Sequence, residues 1–216
     1  MLSQAVQDYV KSIYKLQETG TVSTTEIAKE MNVSGASVTG MLKRLAGMGL
    51  VDYNSYKGVR LTETGEKVAL EIIRFHRLLE LYLKEMIGFP LEKVHEEACR
   101  LEHFISDEFI EKINALLGDP KFDPHGHPIP SKDGVVPEFE EITLANVQTG
   151  KIVKISRLSD TDAKLLGYLE EMSLVPGTEI KVLDKAPFNG PISIAYKNIQ
   201  KIIGSEVAGS IFCRID

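Results

Sequence analysis

The 216-residue chain is predicted to be a multidomain α+β protein: an N-terminal winged helix-turn-helix, an α-helical dimerisation domain and a small C-terminal β-barrel. Three observations carry that expectation. Apolar residues recur at helical spacing over the first half of the chain, five of its nine prolines crowd into residues 118–139, and short β-rich runs dominate from Ile142 onward. The expected boundaries are residues 1–62, 63–118, a Pro-rich linker at 119–140, and 141–216.

Val6, Tyr9, Val10, Ile13 and Leu16 make the apolar face of a first helix, closed by Thr19-Gly20-Thr21. Thr24 or Thr25 can cap a second helix from Glu26 to Met31. After the turn at 32–35, Ser34 caps a third through about Ala46, burying Val38, Met41, Leu42 and Leu45. Two β-rich runs, 49–53 and 59–61, flank the polar turn 54–58 and predict a hairpin, which in this place is a wing.

Thr62 and the acids after it open a long helix striped by Val68, Ile72, Phe75, Leu79, Tyr82 and Met86, which Gly88-Phe89-Pro90 breaks. Further helices are expected from Leu91 to Arg100, on toward Ser106, and from Asp107 to Leu117. These amphipathic helices carry more apolar surface than a satellite domain can cover, so a homodimer is expected. The prolines mark an extended linker. Beyond it, the runs 151–155, 179–183, 192–196 and 210–214, with a helix from Asp162 to Met172, predict the barrel.

Composition narrows the function. At 43% hydrophobic and 26% charged the chain is an ordinary soluble mixture, and its net charge of -6 argues at first against nucleic acid. The charge is uneven: residues 1–62 hold seven Lys and Arg against five Asp and Glu, so the acidity lies in the remainder. No apolar stretch approaches the ~20 residues of a membrane span, and the polar start Met1-Leu2-Ser3-Gln4 lacks the pattern of a signal peptide. A cytoplasmic protein without a membrane partner is expected. Cys99 and Cys213 are far apart and no disulfide is expected; Cys213 reads as a buried strand residue, whereas Cys99 sits among His and Glu.

The sharpest chemical signal spans residues 93–103. At about 100° per residue, His95, Cys99, Glu102 and His103 fall within roughly a quarter-turn of one helix face. The preceding helix adds His76 and Glu80, an i, i+4 pair able to grip one cation. Mixed thiolate, imidazole and carboxylate donors suit Fe(II), Mn(II), Co(II), Ni(II) or Zn(II) better than calcium or magnesium. Enzyme readings fare worse. His95-Glu96-Glu97-Ala98-Cys99 has Cys where a zinc protease needs its second His, and the Glu-x-x-His at Glu92–His95 occurs once where a di-iron bundle needs two. No serine elbow, phosphate-cradling glycine loop or dinucleotide fingerprint is present, so neither catalytic residues nor a small organic substrate is expected. A metal-dependent helical enzyme and a metal-storage module are the alternatives.

The helix-turn-helix is the second signal. Ser34, Ala36, Ser37 and Thr39 are small or hydroxyl-bearing residues that let a helix lie deep in a major groove, and Lys43 and Arg44 add phosphate or base contacts. Lys57 and Arg60 on the wing can reach the flanking backbone of double-stranded DNA.

Together these residues resemble the DtxR/MntR family of metal-dependent transcriptional repressors. The likeness spans the winged helix, the helices with 76–80 and 95–103, the Pro-rich linker, and a barrel similar to the FeoA domain, most so at 174–180. The resemblance implies a primary metal site of Asp8, Cys99, Glu102 and His103, and an ancillary site of His76, Glu80 and His95 completed by His125 and Asp160, with Asp123, His127 and Asp162 as substitutes. It implies two sites per subunit, with Fe(II) or Mn(II) as corepressor of metal-uptake genes and operator DNA as partner. The chain mixes two patterns: Asp8 is manganese-like, Cys99 is iron-like, and Lys11 stands where the manganese branch usually has Glu. The softer Cys99 favours iron.

Overall fold

The computed structural model describes residues 2–17 and 20–214, which form two compact units. One gathers Met1–His76, Leu101–Ser106 and Pro130–Val135; the other gathers Arg77–Arg100, Asp107–Ile129 and Val136–Asp216.

The first unit opens with α1 (Gln4–Leu16), α2 (Thr24–Glu30) and α3 (Gly35–Gly47), then the antiparallel pair β1 (Val51–Asn54) and β2 (Gly58–Leu61). This is the expected winged helix. Val6, Val10, Ile13, Ile27, Val38, Leu42, Leu45 and Val59 are wholly withdrawn from water in one core, each such side chain contributing about 1.5–3 kcal/mol. Met41, expected inside, is only half-buried. The cap of α2 is Ser23 rather than Thr24 or Thr25. Its hydroxyl accepts from the Glu26 amide at 3.2 Å while the Glu26 carboxylate accepts from the Ser23 amide at 2.7 Å, a reciprocal box that neither threonine can make three residues ahead of an acid. Thr19, expected at the end of the first helix, lies outside the described residues. The wing is stitched to the segment before α2 by hydrogen bonds between Val22 and Val59 in both directions. Gly58 (φ +88°) permits this, since a Cβ there would fall 2.5 Å from the Val22 carbonyl oxygen.

α4 (Glu63–Tyr82) starts where the Thr62 hydroxyl accepts from the Gly65 amide, and it buries Ile72 and Leu79 of the expected stripe. A π-turn, Leu83–Ile87, leaves Met86 about half exposed at 51%, and left-handed Gly88 ends the run as expected.

In the second unit α5 (Leu91–Leu101) and α6 (Asp107–Leu116) precede β3 (Ile142–Thr143), β4 (Ile152–Leu158), α7 (Ala163–Glu171), β5 (Glu179–Lys185), β6 (Ile192–Tyr196), β7 (Ile199–Ile203), α8 (Ser205–Gly209) and β8 (Ile211–Arg214). The strands form one antiparallel sheet in the order β3-β8-β4-β5-β6-β7, with irregular pairing at Ile155/Arg157 and Val182/Asp184. These strands make the small C-terminal sheet domain expected from the sequence, with β3 and β7 at its edges among the described residues and bulges where the pairing shifts. Its core includes Leu91 of α5. Cys99 and Cys213 form no disulfide, and burial, helped by Glu141, pushes the Cys213 thiol up to about 12. Within the proline segment, Phe122 and Pro128 bridge across a tight loop that buries Asp123 and His125. Among the described residues no helix is long and apolar enough to cross a membrane.

Candidate metal centres and nucleic-acid interface

In the first unit, α1 and the turn after α5 bring Asp8, Glu102 and His103 together. One donor atom from each lies within 4.8 Å of the others. His103 Nε2 stands 3.0 Å from Asp8 Oδ1 and 3.3 Å from Glu102 Oε1. At its other nitrogen, His103 Nδ1 meets Gln7 Oε1 at 2.5 Å. An amide oxygen only accepts, so Nδ1 carries the hydrogen and Nε2 is turned toward the carboxylates, as a metal ligand requires.

The Glu102 side chain is 1% exposed and crowded by Lys11 and His76. Lys11 Nζ donates to both of its oxygens at 2.8 Å, and His76 Nδ1 lies 2.6 Å from Oε2 and 3.1 Å from Lys11 Nζ. Burial pushes the Glu102 carboxyl up, but His76 and Lys11 outweigh it and hold the carboxyl below its ordinary value. Asp8 moves the other way, raised chiefly by burial, with His103 opposing. His76 thus has its Nδ1 on the Glu102 carboxylate.

The second unit holds a second cluster. Glu80 Oε1 lies 3.0 Å from His95 Nδ1, and Glu80 Oε2 lies 3.7 Å from His125 Nδ1. Cys99 Sγ is 3.7 Å from His95 Nε2. Asp123 Oδ1 accepts from the amides of His125 and His127 at 2.8 and 2.9 Å, an Asx-type turn that shapes the loop; Oδ2 faces His127 Nδ1 at 3.4 Å. Asp123, His125 and His127 are themselves a cluster of three donors within 4.8 Å. The loop is pinned on two sides: Leu158 N of β4 donates to the His125 carbonyl at 2.8 Å, and Arg77 Nη1 donates to the Pro128 carbonyl at 2.5 Å.

His125 is completely buried, and neither ring nitrogen has a hydrogen-bond partner. Burial disfavours its protonation, but Glu80, then Asp123 and Asp160, outweigh this and raise its pKa above the ordinary histidine value. A wholly buried imidazole beside the carboxylates of Glu80 and Asp123 is a donor set that fits a divalent cation. Asp160 joins this group through its field at His125, whereas Asp162 is spent on capping α7, accepting from Lys164 and Leu165 amides. Sequence reasoning misses Gln7 as part of the first cluster, because a glutamine on an amphipathic helix carries no signal beyond solvation, and it notes Lys11 only as a departure from the manganese pattern.

On the winged helix, Ser34, Ala36, Ser37, Lys43 and Arg44 are exposed and Thr39 is half-buried. Two hydroxyls already have work: Ser34 Oγ caps α3 by accepting from the Ser37 amide, and Thr39 Oγ1 donates to the Gly35 carbonyl. Lys57 is exposed on the wing, while Arg60 Nε donates to Thr21 Oγ1 at 3.0 Å.

Comparison with known proteins agrees in all three parts of the chain. Residues 1–59 match the iron dependent repressor, N-terminal DNA binding domain; residues 62–131 match the iron dependent repressor, metal binding and dimerisation domain; residues 142–215 match the FeoA domain. The diphtheria toxin repressor of Corynebacterium diphtheriae is 31% identical over 206 residues, covering 90% of each chain. A manganese-dependent transcriptional repressor solved in complex with manganese superposes with a TM-score of 0.86 at 36% identity, over 96% of this chain and 98% of that one. The structure of ScaR with bound Cd2+ gives 0.79 at 33% identity, over 98% and 99%.

Proposed function

This chain belongs to the iron-dependent repressor family of metal-dependent, DNA-binding transcriptional repressors, and from that premise we propose that it represses metal-uptake genes in the cytoplasm with Fe(II) or Mn(II) as corepressor. The observation that carries the reading is the Asp8–Glu102–His103 cluster. Its donors come from α1, inside the DNA-binding fold, and from the turn after α5, so one cation ties the helix-turn-helix to the segment that bears Glu102 and His103. The cation supplies positive charge between the half-buried carboxylate of Asp8 and the buried one of Glu102. The residues do the rest: Asp8 positions α1 and Gln7 orients the His103 ring.

Glu80, His95, Asp123, His125 and Asp160 form the ancillary site. His76 goes with Glu102 in this reading, and the buried, unsatisfied ring of His125 is the observation favouring the second site. The active species is a homodimer, in which Phe109 (49% exposed) and Leu116 (60%) of α6 have apolar surface to bury against a second copy. Two α3 helices then address successive major grooves of operator DNA, with Ala36 and Ser37 at the base edges and Lys43, Arg44 and Lys57 on phosphate.

Fluorescence anisotropy on DNA from upstream of metal-uptake genes, with and without Fe(II) or Mn(II), tests this. Metal should tighten binding of the native protein, and Asp8→Ala should abolish that gain while leaving a folded protein. Binding that ignores metal, or an unchanged response in Asp8→Ala, would defeat the proposal.

A further inference from the structure

Lys11 stands one helical turn after Asp8 on the same face of α1, and its side chain is 10% exposed. Its ammonium sits symmetrically on the Glu102 carboxylate, 2.8 Å from each oxygen, with His76 Nδ1 at 3.1 Å. A protonated lysine has three donors and no lone pair, so it cannot be a ligand; it is a cation already seated on a ligand.

We infer that Lys11 is a tethered internal competitor for the metal: it occupies Glu102 in the metal-free protein, must yield that carboxylate when a divalent cation joins Asp8, Glu102 and His103, and so sets the metal concentration at which the switch closes. The inference rests on the metal reading of that cluster.

Three physical points support it. A buried carboxylate needs a counter-charge, and with His76 at 2.6 Å and Lys11 on both oxygens Glu102 has its charge answered without any ion. A divalent cation arriving at the same carboxylate meets a like charge within a few ångströms, in surroundings that screen poorly, so affinity falls whether Lys11 swings away or shifts to one oxygen. Lys11 also ties α1 to the turn holding Glu102 and His103, which leaves the metal-free domain partly assembled. Metal thus replaces a tether and does not create order from nothing.

The test compares the full-length protein with Lys11→Met, which keeps an apolar stem, Lys11→Gln, and Lys11→Arg, which keeps the charge. Mn(II) binding is measured by calorimetry, and metal-free thermal melting is followed by circular dichroism. In the Met and Gln variants Mn(II) affinity at the first site should rise at least tenfold while the metal-free melting temperature falls; Lys11→Arg should stay within about threefold of native affinity. Unchanged or weaker binding in both neutral variants, or an equal rise in Lys11→Arg, overturns the inference. If one neutral variant fails to fold without metal, the other decides. Asp8→Ala separates the two levels of argument: if it binds Mn(II) as the native protein does, the metal reading itself fails, whereas loss of a site in Asp8→Ala with no gain in the neutral Lys11 variants removes only the competitor role.

Discussion

Glu170 of α7 accepts a hydrogen bond from the backbone amide of Leu91 at 2.9 Å, so a side chain from the sheet domain caps the first turn of the helix that carries His95 and Cys99. The other Glu170 oxygen pairs with Lys84, and the Leu91 side chain is buried in the sheet domain's core. Gly167, one turn earlier on α7, makes room for this approach, because a Cβ there would fall 2.3 Å from Glu92 Oε2. The Lys84 pair is more than a quarter exposed and worth at most about 1 kcal/mol, so the capping bond matters as much. Glu170→Ala should destabilise the metal-free protein by about 0.5–2 kcal/mol, and Glu170→Gln, which keeps an acceptor, by less. Urea unfolding would read both; equal losses in the two variants would show that charge and not capping is what counts.

Gln7 should matter to metal binding although it touches no cation. Its Oε1 fixes the ring of His103 through Nδ1–H, and partners of this kind typically alter metal affinity by about 10–100-fold. Gln7→Leu should weaken Mn(II) binding at the first site by that order and leave the circular dichroism spectrum unchanged. Gln7→Glu, which retains an acceptor, should recover much of the affinity. A calorimetric titration in which Gln7→Leu matches the native protein would contradict the role.

Much of the fold, and the candidacy of Asp8, Glu102 and His103, is legible in the amino-acid sequence, and the remainder is hidden for identifiable reasons. Val38, Leu42 and Leu45 on α3, and the break at Gly88, follow from local periodicity and from glycine's conformational freedom, which need only a few neighbouring residues. The expected stripe of His95, Cys99, Glu102 and His103 is divided, because α5 ends at Leu101: Cys99 meets His95, whereas Glu102 and His103 gather with Asp8. Lys11 and Glu102 are 91 residues apart, and helical spacing names which face a residue occupies without naming what that face meets. In the loop at 122–130, proline density points to extension, but the Asp123 carboxylate, accepting two amides, closes the loop instead. β7 escapes the pattern because most of it is exposed and lacks alternation, although the left-handed pair Lys197-Asn198 between Tyr196 and Ile199 is a hairpin turn of the type asparagine favours.

The raised pKa of His125 makes a signed prediction. Burial works against the charged ring, but Glu80, Asp123 and Asp160 favour it more strongly, so in the metal-free protein the folded value exceeds the ordinary 6.5. Its stabilising contribution is therefore complete below the unfolded value and is lost as pH rises through the folded one. The melting-temperature advantage of native protein over His125→Gln, both metal-free, should shrink as pH is raised across that window. Metal needs the neutral ring, so binding at the ancillary site should release a proton and strengthen with pH over the same range. Calorimetry in two buffers of different ionisation enthalpy counts that proton, and identical heats in both would argue that His125 is not displaced from its charged form.

Gly126 offers a test of how tightly the ancillary site depends on its loop. Its φ of +93° lies in the region that favours glycine, and a Cβ would fall 2.0 Å from the Ser156 carbonyl oxygen of β4, which is backbone and has little freedom to retreat. The residue on one side is His125, whose carbonyl is held by Leu158; the residue on the other is His127, whose amide is held by Asp123. Gly126→Ala must lift this loop from the strand, and that movement carries His125 away from Glu80. The expected outcome is a loss of more than about 1 kcal/mol of stability from the strained backbone and loss of one metal equivalent in titration, with Mn(II) binding at Asp8, Glu102 and His103 retained. The first site lies in the other compact unit and shares no donor with this loop. A Gly126→Ala protein that still binds both equivalents would mean that the loop geometry is not needed to hold the second ion.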